Sequence, residues 1–331
     1  MTTLAPKRVF VVPYRDRIHH KFFFSKQMEF LLEGEDDYEI LFVHQCDSRN
    51  FNRGAMKNIG FLAMKEKYPE EYRNMTFIFN DVDTLPFNKL FDYETTSGVV
   101  KHYYGFETAL GGMVVIKGSD FELINGYPNY WGWGMEDACL QKRCMLHQLH
   151  IDRGEFYPIG SPEILQLFDG VARLVSRRDP QRMKTDNGVD GIRTIHKLAF
   201  SIDKESLNPD DNKFVVENHR IFVVNVTSFM TLVRFENDQY HHYDLREPVS
   251  KVVFPDPPRN MVSSNYAKVT SVRPTNQQQQ QLQQQYQQQQ QYQQQQQYQQ
   301  QYQQQQQFQQ QQRPRQQATK SVNIDLGGVR R

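Results

Sequence analysis

The chain has 331 residues, 39 Lys and Arg against 38 Asp and Glu, and a net charge of +1. Five basic residues and one acid give the segment from Asn276 onward +4, so the remainder carries −3, which argues against binding a nucleic-acid phosphate backbone as the main task. Hydrophobic residues make up 38% and mean hydropathy is −0.74; much of that polarity lies in one tract, and the remainder has ample Phe, Tyr, Ile and Val for a sizeable core.

In chain order, Arg8 to Pro13 (RVFVVP) is a short apolar run stopped by proline and reads as a buried strand. Ile18 to Leu32 carries Phe, Met and Leu at helical spacing. Tyr38 to His44 (YEILFVH) predicts a second strand, Phe51 to Tyr68 a second helix, and Met75 to Asn80 (MTFIFN) a third strand. This alternation predicts an α/β fold with a mostly parallel central sheet flanked by helices. A strand at Gly112–Ile116, helices at Ser119–Asn125 and Glu136–His147, and strands at Phe214–Val216 and Arg220–Val226 follow. From Asn276 to Gln317 the chain is nearly all Gln, broken by Tyr286, Tyr292, Tyr298, Tyr302 and Phe308. Such a tract has too little apolar surface to offset chain entropy, so residues 259–331 are expected to be a disordered low-complexity tail, open to self-association.

No apolar run approaches the length of a membrane span, and Met1–Lys7 lacks the apolar centre of a signal peptide. Cys46, Cys139 and Cys144 are odd in number, with neither a CxxC pair nor zinc spacing. They read as free thiols in a reducing compartment. A soluble, cytoplasmic location is therefore expected. The alternative is a secretory lumen, where Asn74-Met75-Thr76 and Asn225-Val226-Thr227 would be glycosylation acceptors.

Two constellations carry chemistry. Asp81-Val82-Asp83 directly follows the third strand, where open α/β sheets bind ligands. Carboxylates at i and i+2 of an extended segment share a side and suit Mn²⁺ or Mg²⁺; the bland alternative is an acidic turn. Tyr130-Trp131-Gly132-Trp133-Gly134-Met135-Glu136-Asp137 holds both tryptophans of the chain. Its rings suit sugar faces, its glycines allow a loop to close, and the following acids open a helix whose dipole favours their charged form. Core tryptophans and an ordinary helix start are the alternative.

With these stand Val12-Pro13-Tyr14-Arg15-Asp16-Arg17, Phe51-Asn52-Arg53-Gly54, Asn58-Ile59-Gly60-Phe61, Gly111-Gly112, Ile124-Asn125-Gly126-Tyr127-Pro128-Asn129 and Asp179-Pro180-Gln181-Arg182. In this order, from about Val9 to Leu198, the motifs closely resemble the beta-1,4-galactosyltransferase family. The resemblance implies a GT-A nucleotide-sugar fold over residues 1–200, with 201–258 as an extension packed on it, and inverting transfer from a UDP-sugar. It implies a nucleotide and donor site of Pro13, Tyr14, Arg15, Arg17, Phe51, Arg53, Asp81, Val82, Asp83, Gly111, Gly112 and Trp133. It implies Asp83 as metal ligand, Glu136 holding the sugars and Asp137 as the base.

Three departures shape the expectations. The family usually carries three acids after WGWG-x, and here the third position is Ala138. Ala109 stands where galactose-specific members carry a Tyr, which opens room for UDP-GalNAc beside UDP-Gal. A metal-binding His is replaced in Leu167-Phe168-Asp169-Gly170. There Asp169 either supplies an oxygen ligand, favouring Mg²⁺ more than in relatives, or forms an Asp-Gly turn. His196 reads as a satisfied histidine rather than a ligand. The acceptor is expected to be a glycan or glycoconjugate. The rival readings are a nucleotidyl- or phosphotransferase using the same metal, and a weakened sugar-binding or scaffold protein working through its Gln-rich tail.

Overall fold

The computed structural model describes residues 5–167, 172–204, 216, 218–235 and 238–244. The tail 259–331, most of the strand expected at Phe214–Val216, and Asp169 lie outside the described residues. The first half runs β1 (Arg8–Tyr14), α1 (Ile18–Leu31), β2 (Tyr38–Gln45), α2 (Arg53–Lys67), β3 (Thr76–Asn80), β4 (Thr84–Pro86), β5 (Val99–Gly105), β6 (Met113–Lys117), α3 (Gly118–Leu123) and α4 (Glu136–Leu146). Then come β7 (His150–Asp152), β8 (Tyr157–Pro158), β9 (Ile164–Gln166), β10 (Ala172–Ser176), α5 (Asp179–Thr185), a 3₁₀ turn at Ile192–Thr194, β11 (His196–Lys204), β12 (Ile221–Met230) and β13 (Tyr240–Asp244).

The main sheet has the order β11-β12-β2-β1-β3-β6-β5-β7, with β8 also on β5. It is parallel through β12, β2, β1 and β3, and antiparallel where β6 meets β3 and β5. The expectation of a mostly parallel sheet therefore holds for its centre. Val9, Val11, Leu41 and Val43 pack on one face, and Phe10, Val12, Ile40 and Phe42 on the other. Both faces of β1 and β2 are buried, which is why these strands read as unbroken apolar runs.

The boundary expected at residue 200 falls inside β11. β11 pairs with β12, and β12 joins the sheet beside β2, so both strands belong to the main sheet. β4, β5, β7–β11 and β13 were not read as strands; β4 and β7–β9 are only two or three residues long, too brief to show alternation.

The packing of α2 explains three motif residues. The Asn52 side chain caps the helix by accepting from Ala55 N at 2.9 Å, which is why the helix starts at Arg53 rather than Phe51. The Asn58 amide pairs with Tyr127 in both directions, at 2.7 and 2.9 Å. A Cβ at Gly54 would lie 2.1 Å from the Pro128 carbonyl oxygen. Gly54→Ala must therefore push α2 off the 124–129 turn; a loss of about 1–3 kcal/mol in urea denaturation is expected, and an unchanged midpoint would refute the contact. Among the described residues no helix is long and apolar enough to cross a membrane. Cys46, Cys139 and Cys144 are free.

Candidate active site

A cleft of about 370 Å³ opens where β1 and β3 end. Pro13, Arg15 and Arg17 line it from the end of β1, Phe51 and Arg53 from the start of α2, and Asp81, Val82 and Asp83 from the end of β3. Trp131, Gly132, Trp133 and Glu136 close one side, with Ala172, Arg173 and Leu174 of β10. This is the carboxyl edge of the parallel strands, where loops are free to carry polar groups.

Acids and cations alternate across the floor. Arg17 donates to Asp83 Oδ2 at 3.1 Å and Arg53 to Asp81 Oδ2 at 3.2 Å. Arg53 Nε lies 3.8 Å from Glu136 Oε1, and Lys57 donates to Asp137 Oδ1 at 3.1 Å. Burial, and then the charge of Asp81, push the Asp83 carboxyl above its ordinary value. Burial, and then Asp137, do the same to Glu136. Among the described residues the buried Glu136 Oε2 has no hydrogen-bond partner. Like charges held this close raise one another's carboxyls.

Among the described residues no three His, Cys, Asp or Glu side chains converge as a metal-binding group. Asp83, with Asp81 beside it, nevertheless fits a divalent cation. The donors are hard oxygens, their buried like charges call for one, and substrate phosphates and water commonly complete such a shell.

The structure gathers most of the expected residues and sets some apart. Tyr14 does not line the cleft; its ring meets Phe42 and His44 edge-on at 6.1 and 5.4 Å. Ala109, Gly111 and Gly112 also stand off the lining, but the last two lie directly behind it. Gly112 accepts from Asp81 N at 3.0 Å, and a Cβ at Gly111 would lie 2.6 Å from Asp137 Oδ2. Gly112 has φ +68, which its missing Cβ permits. The tryptophans divide. Trp131 borders the cleft but is only 1% exposed, stacks on Phe229 and donates to Val233 O, so most of its ring packs in the core. Trp133 is half-buried at the cleft, stacked on Tyr243. His196 is exposed, with Nδ1 3.0 Å from Thr194 O.

Several supporting residues were missed. Lys57 looked like an ordinary helix lysine. The Arg49 guanidinium sits 4.5 Å from the Trp131 ring and 4.4 Å from Phe229. Asp238, on the segment before β13, pairs with Arg182 of the DPQR motif, so that motif anchors the β10–β13 ribbon beside Trp133. His102 is buried, its Nε2 near the carbonyls of Tyr104 and Gly111 at 3.0 and 3.1 Å. Burial, helped by Arg153, lowers it to about 4 and so keeps it neutral. No sequence signal marked these residues beyond the DPQR motif.

The fold and the cleft define a GT-A-type glycosyltransferase. Residues 3–96 match the N-terminal region of glycosyl transferase group 7, and residues 94–164 the N-terminal domain of galactosyltransferase. The chain belongs to the beta-1,4-galactosyltransferase family. Beta-1,4-galactosyltransferase 4 of Cricetulus griseus is 34% identical over 237 residues, covering 67% of this chain and 63% of that protein. Xylosylprotein 4-beta-galactosyltransferase of Caenorhabditis elegans is 28% identical over 222 residues, covering 62% of this chain and 75% of the relative. The chain thus spans less than two thirds of the hamster protein. The crystal structure of the catalytic domain of Drosophila beta1,4-galactosyltransferase 7 with xylobiose superposes with a TM-score of 0.52 at 21% identity, over 67% of this chain and 94% of that one.

Proposed function

We propose that the chain transfers galactose, with inversion, from a UDP-sugar to a hydroxyl of a sugar acceptor. One observation carries this reading: Asp81, Asp83 and Glu136 meet Arg15, Arg17, Arg53 and Arg173 in a single cleft, with Asp137 directly behind. Arg15, Arg17 and Arg53 supply positive charge for a diphosphate, and Phe51 an apolar face for a base. Asp83, with Asp81 beside it, would hold the divalent cation; when bound, that ion screens the charge gathering on departing UDP. A second Drosophila beta1,4-galactosyltransferase 7 structure contains manganese, UDP-Gal and xylobiose, which supports the assignment. Glu136 Oε2 has acceptor capacity free for sugar hydroxyls, and Trp133 covers the donor and excludes water. Asp137 takes the proton of the attacking hydroxyl.

The test is release of UDP by the purified full chain from each common UDP-sugar, with Mn²⁺, first in water and then with a panel of sugar acceptors that includes xylobiose. Turnover of UDP-Gal that excess chelator abolishes is expected; equal turnover in chelator would overturn the metal assignment. UDP-GalNAc should also be used, because Ala109 leaves room at the sugar's 2-substituent. Ala109→Tyr should then lower UDP-GalNAc use relative to UDP-Gal, by about 10-fold or more for steric bulk of that kind. An unchanged ratio would remove Ala109 from the donor site. The three free thiols support a reducing compartment as the place of action; fractionation into secretory membranes would contradict it.

A further inference from the structure

Lys57 lies on α2 between Met56 and Asn58, and only 1% of its side chain is exposed. A buried ammonium is costly unless charged partners surround it. Its Nζ lies 3.1 Å from Asp137 Oδ1 and 3.9 Å from Asp81 Oδ1, and 4.5 Å from the centre of the Tyr127 ring, whose face attracts a cation. The other Asp137 oxygen, Oδ2, faces the backbone of Gly111, where a side chain would collide with it. The main chain is tied there as well, since Leu110 N donates to Asp137 O at 3.1 Å.

We infer that Lys57 is a positioning residue for Asp137: by holding Oδ1 it fixes the carboxylate plane and leaves Oδ2, opposite Gly111, as the oxygen that receives the acceptor's proton. This rests on Asp137 being the base. In the step, the hydroxyl oxygen bonds to the anomeric carbon, the bond from that carbon to the UDP oxygen breaks with its electron pair leaving on UDP, and the hydroxyl proton passes to Oδ2. Lys57 is absent from the cleft lining. Its effect should therefore fall on kcat rather than on KM for the donor. Gly111 complements it from the other side, because only a residue without Cβ leaves space in front of Oδ2.

A double-mutant cycle on the full chain tests this, with Lys57→Met, Asp137→Asn and the pair, UDP-Gal as donor, Mn²⁺ present, and the acceptor that the UDP-release screen selects. In the parent background Lys57→Met should lower kcat ~10–100-fold with KM for UDP-Gal within about threefold; in the Asp137→Asn background it should cost less than about twofold, because the residue it acts through is gone. The pair should also be more stable than Lys57→Met alone, since it removes both charges together. An equal kcat loss in both backgrounds, or a loss confined to KM, overturns the positioning role. If Asp137→Asn alone keeps parental kcat, the base assignment is what fails. Should Lys57→Met not fold, Lys57→Gln, which retains a neutral donor, is held to the same criteria.

Discussion

Asp137→Asn is expected to fold as the parent does and to lose ~10²–10⁴-fold in kcat, the usual worth of a general base. The substitution is nearly isosteric, so Leu110 N keeps its bond to the residue 137 carbonyl and α4 keeps its start. The Lys57 ammonium loses its charged partner at 3.1 Å but keeps Asp81 at 3.9 Å. KM for the UDP-sugar should change little, because Asp137 lies behind the cleft lining rather than in it. The measurement is steady-state UDP release with and without acceptor. A variant retaining more than a tenth of parental kcat would take the base role from Asp137, leaving Glu136 as the remaining acid at the start of α4.

Arg143→Met should produce the largest loss of stability. Arg143 is 1% exposed and ties two segments to α4. It donates to both carboxylate oxygens of Asp186 at 2.9 and 2.7 Å, to Gly126 O at 2.8 Å and to Asp190 O at 2.6 Å. Removing it leaves the Asp186 carboxylate buried without its charge partner, a change that costs about 3–5 kcal/mol in comparable pairs. The acid dependence gives a second readout. Burial pushes the Asp186 carboxyl up, but the Arg143 hydrogen bonds and charge outweigh it and hold the group below its ordinary value. In the parent, that pair adds stability above the ordinary carboxylate range, and the contribution is lost as pH falls through and below it. In the variant only the hydrogen bonds from Cys139 and Gly188 N still oppose burial, so acidification should narrow its deficit. Urea denaturation at neutral and mildly acidic pH measures both effects. A deficit below about 1 kcal/mol, or one that widens with acid, would mean that Asp186 finds another partner. Asp186→Asn in the same background should recover part of the loss, because both charges are then gone.

Local pattern was enough for the elements that precede the site. β1, α1, β2, α2 and β3 each announce themselves by an unbroken apolar run or a helical repeat. Their alternation forces the parallel centre of the sheet and places Asp81 and Asp83 at its carboxyl edge. The motif glycines and asparagines were legible as motifs, but their reasons are tertiary. Gly54 is needed because Pro128 lies against it, and Asn58 because Tyr127 presents both its N–H and its carbonyl.

What the amino-acid sequence determined alone was the fold class, the family, and the set of acids and arginines from which the cleft is made, since these depend on residue type and on neighbours close in the chain. Three things were decided only by the tertiary structure. Trp131 and Trp133 are two residues apart with the same flanking glycine, yet one is sealed in the core against Phe229 and the other faces the cleft beside Tyr243; strands that arrive about a hundred residues later make the difference. The place of β12 was another, since it enters the main sheet by pairing with β2, about 180 positions earlier in the chain. Lys57 belonged to no motif, and is a buried cation because Asp137, 80 positions away, and Asp81 converge on it. In each case the energy that fixes the residue comes from burial and charge supplied by distant segments, and no local pattern carries that information.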